Sequence, residues 1–131
     1  MRFFLLFIVI SLSLIGFSQK NQQDTYPFQK EFSKAYIQHA AVPKGILEAV
    51  AFTTTRINHI ANATESCVGV PKVYGVMGLT LHGQGYFKNN LKYVSKISRI
   101  SIDDIIGIPE KNILAFAAAF NYELSLLENP T

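Results

Sequence analysis

Side chains able to do acid–base, nucleophilic or metal chemistry are few in this chain and widely spread: nine acidic residues, three histidines and one cysteine. His39, His59 and His82 stand twenty and twenty-three positions apart, with no His-x-x-x-His pair and no ligand pattern around Cys67. No metal site and no cofactor is expected on those spacings. His59 falls at the end of a helical stretch, where the negative end of the helix dipole would suit it. Cys67 has no second cysteine to pair with and no histidine at a motif-like spacing, so it reads as a buried structural thiol. Asp103, Asp104 and Glu110 fall where helices begin and serve as helix-terminus charges. Glu48, on a helix, and Glu65, in a loop, remain as carboxylates for general acid–base work. Glu65 could swing toward a cleft, and its plainer reading is a solvated loop residue.

The elements that must position these groups are read from apolar spacing. Phe28, Phe32 and Tyr36 recur every four positions with Ile37 beside them, predicting an amphipathic helix from Pro27 to His39. Pro43 suits the first turn of a second helix, continued by Ile46, Leu47, Val50, Ala51 and Ile57. From Ala61 to Tyr74 the pattern dissolves into small and turn-forming residues. Val73 to Leu81 alternates at period two, but Gly75 and Gly78 break it and Gly83 and Gly85 follow, so only short helical turns are expected in this compact stretch. A third helix is predicted over Asn89 to Ser98 with Leu91, Val94 and Ile97 inward. Ser101 with Asp104 three positions on resembles a capping box opening a short helix that Gly107 ends. Pro109 starts a last helix with Ile113, Leu114, Ala117, Phe120, Leu124 and Leu127 on one buried face. The expected fold class is all-α, mainly helical.

Met1 and Arg2 precede an apolar run from Phe3 to Phe17, and Gly16 and Ser18 supply small residues for a cut after Ser18. This is the pattern of a secretory signal peptide over 1–18, followed by a polar linker over 19–26. The run is shorter than the roughly 20 apolar residues a spanning helix needs, so no stable membrane anchor is expected after cleavage. Export to the periplasm or cell envelope follows. A little over 110 residues then remain, enough for one small domain over 27–131. The formal net charge of +3 falls to +2 without Arg2. That excess is too mild and too scattered for a nucleic-acid footprint, so no nucleic-acid partner is expected.

Three segments carry a family resemblance. Leu47-Glu48-Ala49-Val50-Ala51-Phe52-Thr53-Thr54-Thr55, Gly75-Val76-Met77-Gly78-Leu79 and Pro109-Glu110-Lys111-Asn112-Ile113 occur in this order. They resemble the L-x-A-I-A-x-x-E-S helix, the G-A-M-G-L-M-Q turn and the D-P-E-x-N-I-x-A-G-A helix start of lytic transglycosylases of the soluble-lytic-transglycosylase type. The resemblance covers roughly Pro43 to Ala118 and implies a lysozyme-like domain acting on peptidoglycan. Laid on the first motif, the family's acid glutamate falls at Thr54 and the serine after it at Thr55. Leu81 stands where the family's turn ends in glutamine. Family members continue into a further A-A-Y-N-A-G helix, whereas this chain stops at Thr131, which reads as a short form truncated at the C-terminus. The segments from Pro43 to Ala51 and from Tyr74 to Leu79 also resemble the N-terminal region of Bacteroidetes-type N-acetylmuramoyl-L-alanine amidases. A downstream amidase domain in a longer form is one partner this implies.

The family's reaction needs a carboxylic acid that protonates the glycosidic oxygen and then takes a proton from the sugar's own hydroxyl. Threonine cannot do this, because its hydroxyl does not ionise near neutral pH. Glu48 lies six positions before Thr54, almost two turns away and off its face. The expected function is therefore an exported, degenerate lytic-transglycosylase-like module that binds peptidoglycan glycan strands without cutting them, a pseudoenzyme associated with amidase-type wall hydrolysis. Thr54, Thr55, Tyr74, Gly75, Met77, Gly78, Leu79 and Tyr86 are its expected substrate-binding residues, with Tyr74, Tyr86, Phe87 and Tyr93 as aromatic faces for sugars. Two alternatives stand beside it: an active lytic transglycosylase using Glu65, and a protein-interaction domain.

Overall fold

A computed structural model of the chain describes residues 26–62, 71–81 and 89–128. Helix α1 is Gln29–Gln38, α2 Ile46–Thr55, α3 Asn90–Ser98, α4 Ile102–Gly107 and α5 Pro109–Glu128; between α2 and α3 lie the short strands β1, Val73–Tyr74, and β2, Leu79–Thr80. The described residues are mainly helical, as the apolar spacing predicts.

Two helix starts lie inside the predicted ones. Phe28 sits at φ 62° and Gly45 at φ 87°, both left-handed, so Pro27 and Pro43 remain in the preceding turns. The amide of Ile46 donates back to the Pro43 carbonyl at 3.3 Å, closing the turn that leads into α2. Downstream, Ser101 caps its helix as predicted, while Asn89, predicted as a first helical residue, is the cap of its own. Asn89 Oδ1 accepts from the Lys92 amide at 3.3 Å, and Ser101 Oγ accepts from the Asp104 amide at 3.1 Å. Each satisfies one of the amides that a helix start leaves without an internal partner.

The last helix is the hub, with α1, α3 and α4 all packed on it. The expected single apolar face is too simple: Asn112, Ile113, Ala115, Ala117 and Ala119 are buried, and positions two apart lie on opposite sides of a helix. Its alanines have little bulk, which lets neighbouring helices approach from more than one direction. Leu127 is 77% exposed, so the inward stripe ends before it. Ile37 at 81% exposure likewise falls outside the core that Phe32 and Ala35 enter from α1. Phe32, Leu47, Met77, Leu79, Leu91, Ile105 and Ile113 are its largest apolar members. Each contributes about 1.5–3 kcal/mol relative to an exposed side chain.

Val73 to Leu81, where glycines interrupt the alternation, forms a hairpin. Val73 pairs with Thr80 and Tyr74 with Leu79, antiparallel. The glycines supply the turn rather than preventing the strands, with φ 73° at Gly75 and 64° at Gly78. Gly75 also bridges to Ile60, its amide donating to the Ile60 carbonyl at 2.8 Å. On the other side, Asn90 Oδ1 accepts from the Thr80 amide at 2.6 Å and from Thr80 Oγ1 at 3.0 Å, tying β2 to α3.

Asn112 fixes this hairpin to the helical hub. It is fully buried; its Oδ1 accepts from the Met77 amide at 2.8 Å and its Nδ2 donates to the Ile105 carbonyl at 3.0 Å. A Cβ on Gly75 would lie 1.8 Å from Asn112 Nδ2, so the amide occupies the space a side chain at 75 would need. Asn112→Leu keeps the volume and strands a buried donor on Met77 and a buried acceptor on Ile105. At about 1–3 kcal/mol for each stranded group, the loss is about 2–6 kcal/mol. Urea unfolding of the purified chain should show the unfolding free energy lowered by that amount, read as a lower midpoint at an unchanged m-value.

Candidate functional site

The C-terminal turn of α2 consists of three threonines, each of whose hydroxyls bonds back to its own helix. Thr53 Oγ1 lies 3.0 Å from the carbonyls of Ala49 and Val50, and Thr54 Oγ1 donates to Val50 O at 2.8 Å. Thr55 Oγ1 reaches the Ala51 carbonyl at 2.9 Å and the Val76 carbonyl at 2.6 Å. One hydroxyl has a single hydrogen, so these two carbonyls share it. Through that hydrogen, the end of α2 is joined to the hairpin turn.

The helix stops because Arg56 and Ile57 both adopt left-handed backbone, at φ 57° and 59°. The Arg56 amide still donates to Phe52 O at 3.1 Å, and the Ile57 amide to Ala51 O at 3.1 Å. Asn58 Nδ2 closes the end by donating to Thr55 O at 3.0 Å. His59 therefore lies four positions beyond the last helical residue rather than on it. Both of its ring nitrogens are buried without a hydrogen-bond partner among the described residues.

Residues from all three sequence segments meet here. A Cβ on Gly78 would fall 2.7 Å from Thr54 Cβ and 2.9 Å from Thr54 Oγ1, so the backbone of the turn passes directly against Thr54. Asn112, from the third segment, holds the Met77 amide. Thr54 is exposed; Tyr74 and Gly78 are half-buried; Thr55, Gly75, Met77 and Leu79 are buried. The buried four shape the turn from within and present no side-chain surface. Glu65, Cys67, His82, Tyr86 and Phe87 lie outside the described residues, as does the leader over 1–18. Tyr93 is 41% exposed and bonds through its hydroxyl to Glu123 on α5.

Sequence spacing did not reveal a second constellation, on the N-terminal turn of the same helix. Tyr26 Oη donates to Glu48 Oε1 at 3.0 Å, and Tyr36 Oη donates to Glu48 Oε2 at 2.5 Å. Tyr36 Oη also accepts from the Leu47 amide at 3.1 Å, filling one of the open donors at the start of α2. Two cavities flank the carboxylate. One, of about 380 Å³, is lined by Ser33, Tyr36, Ile37, Lys44, Gly45 and Glu48. The other, about 580 Å³ and almost wholly apolar, is lined by Tyr26, Gly45, Glu48, Ala49, Phe52 and Ile57. Thr54 lines neither. The predicted stripe places Tyr36 in the core of α1, and nothing local in sequence joins it to a carboxylate twelve positions away.

The remaining carboxylates have structural surroundings. Glu110, in the first turn of α5, pairs with Lys34 of α1, and that hydrogen-bonded ammonium holds its carboxyl below the usual range. Asp103 and Asp104 sit in the first turn of α4. Among the described residues no three His, Cys, Asp or Glu side chains form a metal-binding group, and no helix is long and apolar enough to cross a membrane. Comparison with protein-family models, with curated proteins and with solved structures gives no match to the chain.

Burial first, and then the hydrogen bond to Glu48, push the Tyr36 phenol up to about 12. A raised folded-state value means that the stability linked to the protonated phenol is complete below the ordinary value near 10 and is lost as pH rises through about 12. Alkaline titration followed by tyrosinate absorbance should show this late step. Tyr93, which Glu123 pushes up to about 12, titrates in the same late region; in Glu48→Gln the Tyr36 part of the late absorbance should move to lower pH, together with any contribution of Tyr26, while the Tyr93 part stays in place. An unmoved Tyr36 step would mean that Glu48 does not hold the phenol.

Proposed function

We propose that this chain is an exported, lysozyme-like module that binds peptidoglycan glycan strands without cleaving them, acting beside an N-acetylmuramoyl-L-alanine amidase. The observation that carries the reading is the meeting of its three sequence segments around one turn. Thr55 bonds to Val76, Asn112 holds Met77, and Gly78 lies against Thr54. In the resembling transglycosylases these segments build a glycan groove around an acid; here the position of that acid carries an exposed threonine. Its hydroxyl hydrogen is directed to Val50 O, and a threonine hydroxyl supplies no proton near neutral pH. Glu48, two turns earlier, is engaged by two tyrosines, away from Thr54. Affinity for a polymer can outlast the loss of an acid, since contact area and oriented polar groups supply it.

Insoluble peptidoglycan should sediment the purified chain, soluble glycan fragments should compete, and no 1,6-anhydro muropeptides should be released. Equal amounts of protein in the supernatant with and without wall material would end the binding reading. Release of anhydro products that a Glu65→Gln variant abolishes would replace it with an active enzyme. Thr54→Glu should fold and gain little activity, because Leu81 leaves the turn without the family's polar glutamine. Strong lysis by that variant would show a groove complete apart from its acid.

A further inference from the structure

Glu48 is a half-buried carboxylate whose described partners are all neutral. Each of its oxygens accepts one tyrosine hydroxyl, and a carboxylate offers about four lone-pair sites, so roughly two remain open. No basic side chain among the described residues forms an ion pair with it. Lys44 lines only the cavity on the Tyr36 side and makes no such contact. On the other side, Glu48 is the only charged group among the described residues lining a cavity otherwise bounded by Tyr26, Gly45, Ala49, Phe52 and Ile57. The aromatic wall already accommodates a cation, since the Arg56 guanidinium carbon lies 4.9 Å from the centroid of the Phe52 ring.

We infer that the cavity between Tyr26, Phe52 and Ile57 binds an organic ammonium group on an apolar stem, with Glu48 as its counter-charge. The ammonium would donate to the open lone pairs of Glu48, which charge assistance makes stronger than a bond to a neutral acceptor. The electron-rich faces of Tyr26 and Phe52 would attract the same charge, and the alkyl stem would cover Ala49 and Ile57. Burial and the Glu48 hydrogen bonds raise both phenols above their ordinary value, so both remain protonated donors across the neutral range and keep the carboxylate oriented. An anionic or purely hydroxylic ligand gains none of the charge terms. The inference does not rest on the glycan reading, and its test contains no wall material.

The test is titration of the full chain with n-butylammonium, followed by NMR of the Tyr26, Phe52 and Ile57 resonances, with n-butanol and pentanoate as neutral and anionic controls of the same n-butyl stem. Butylammonium should give saturable shifts and bind at least about tenfold more tightly than butanol, the gain expected of a partly desolvated charge pair with an aromatic contact. Glu48→Gln should bring the two ligands to equal affinity. Because that change also alters the tyrosine hydrogen bonds, Phe52→Ala provides a second arm. Phe52 is 53% exposed, so its truncation should leave the melting temperature unchanged and still weaken butylammonium selectively. Equal binding of butanol and butylammonium, no saturable shift with butylammonium, or an ammonium preference that survives in folded Phe52→Ala and Glu48→Gln would each overturn the inference.

Discussion

A single buried side-chain amide sets the position of everything around the α2 terminus. Asn112 offers one acceptor and one donor at opposite corners of a planar group, and the structure uses both, for the Met77 amide and the Ile105 carbonyl. The amide reaches both only because Gly75 has no side chain in its way. With the turn fixed in this manner, Val76 presents its carbonyl to Thr55, and Gly78 is brought against Thr54. The constraint is demanding because the site is buried: a buried polar group left unpaired costs more than its hydrogen bond returns when made. Among the buried positions of the hub helix, otherwise alanine and isoleucine, one polar residue thus stands in the register where a backbone turn needs it.

Helix α2 brings two different chemistries to its two ends. At its C-terminus the threonine hydroxyls are consumed by their own helix and by Val76, and two left-handed residues redirect the chain toward the bridge with Gly75. At its N-terminus Glu48 gathers Tyr26 and Tyr36, and Tyr36 in turn fills an open backbone donor at Leu47. The threonine hydroxyls of the first end are neutral, and Arg56 just beyond them lies over the Phe52 ring. The second end places a carboxylate between two cavities, with unfilled acceptor capacity among the described residues. A cationic ligand therefore suits the Glu48 end, while Thr54 itself offers shape and a neutral hydroxyl.

The helices were legible in the sequence because their cause is local. Among the described residues, apolar spacing located four helices and a capping box the short fifth, with Ser101 and Pro109 marking two starts through capping and fixed backbone geometry. The misplaced starts have a local cause of another kind: Phe28 and Gly45 adopt positive φ just where an earlier proline suggested the first turn. The hairpin was not legible. The glycines that break the period-two alternation argued for short helical turns, yet they are the residues that let the chain turn back between two strands.

The site divides along the same line. Sequence alone determined that position 54 carries a threonine, which does not ionise near neutral pH, and that no histidine or cysteine motif is present, since residue identity and spacing suffice for each. It could not tell that Thr55, Met77 and Leu79 would be buried while Thr54 stays exposed, because that depends on which elements cover the end of α2. Nor could it join Tyr26 and Tyr36 to Glu48, or Lys34 to Glu110, seventy-six positions apart. Such contacts arise when helices with independent local causes are packed on a common hub. Only the packed fold decides which polar groups arrive within hydrogen-bonding distance, because that distance is set by the volumes of the side chains between the helices and by no periodicity in the chain.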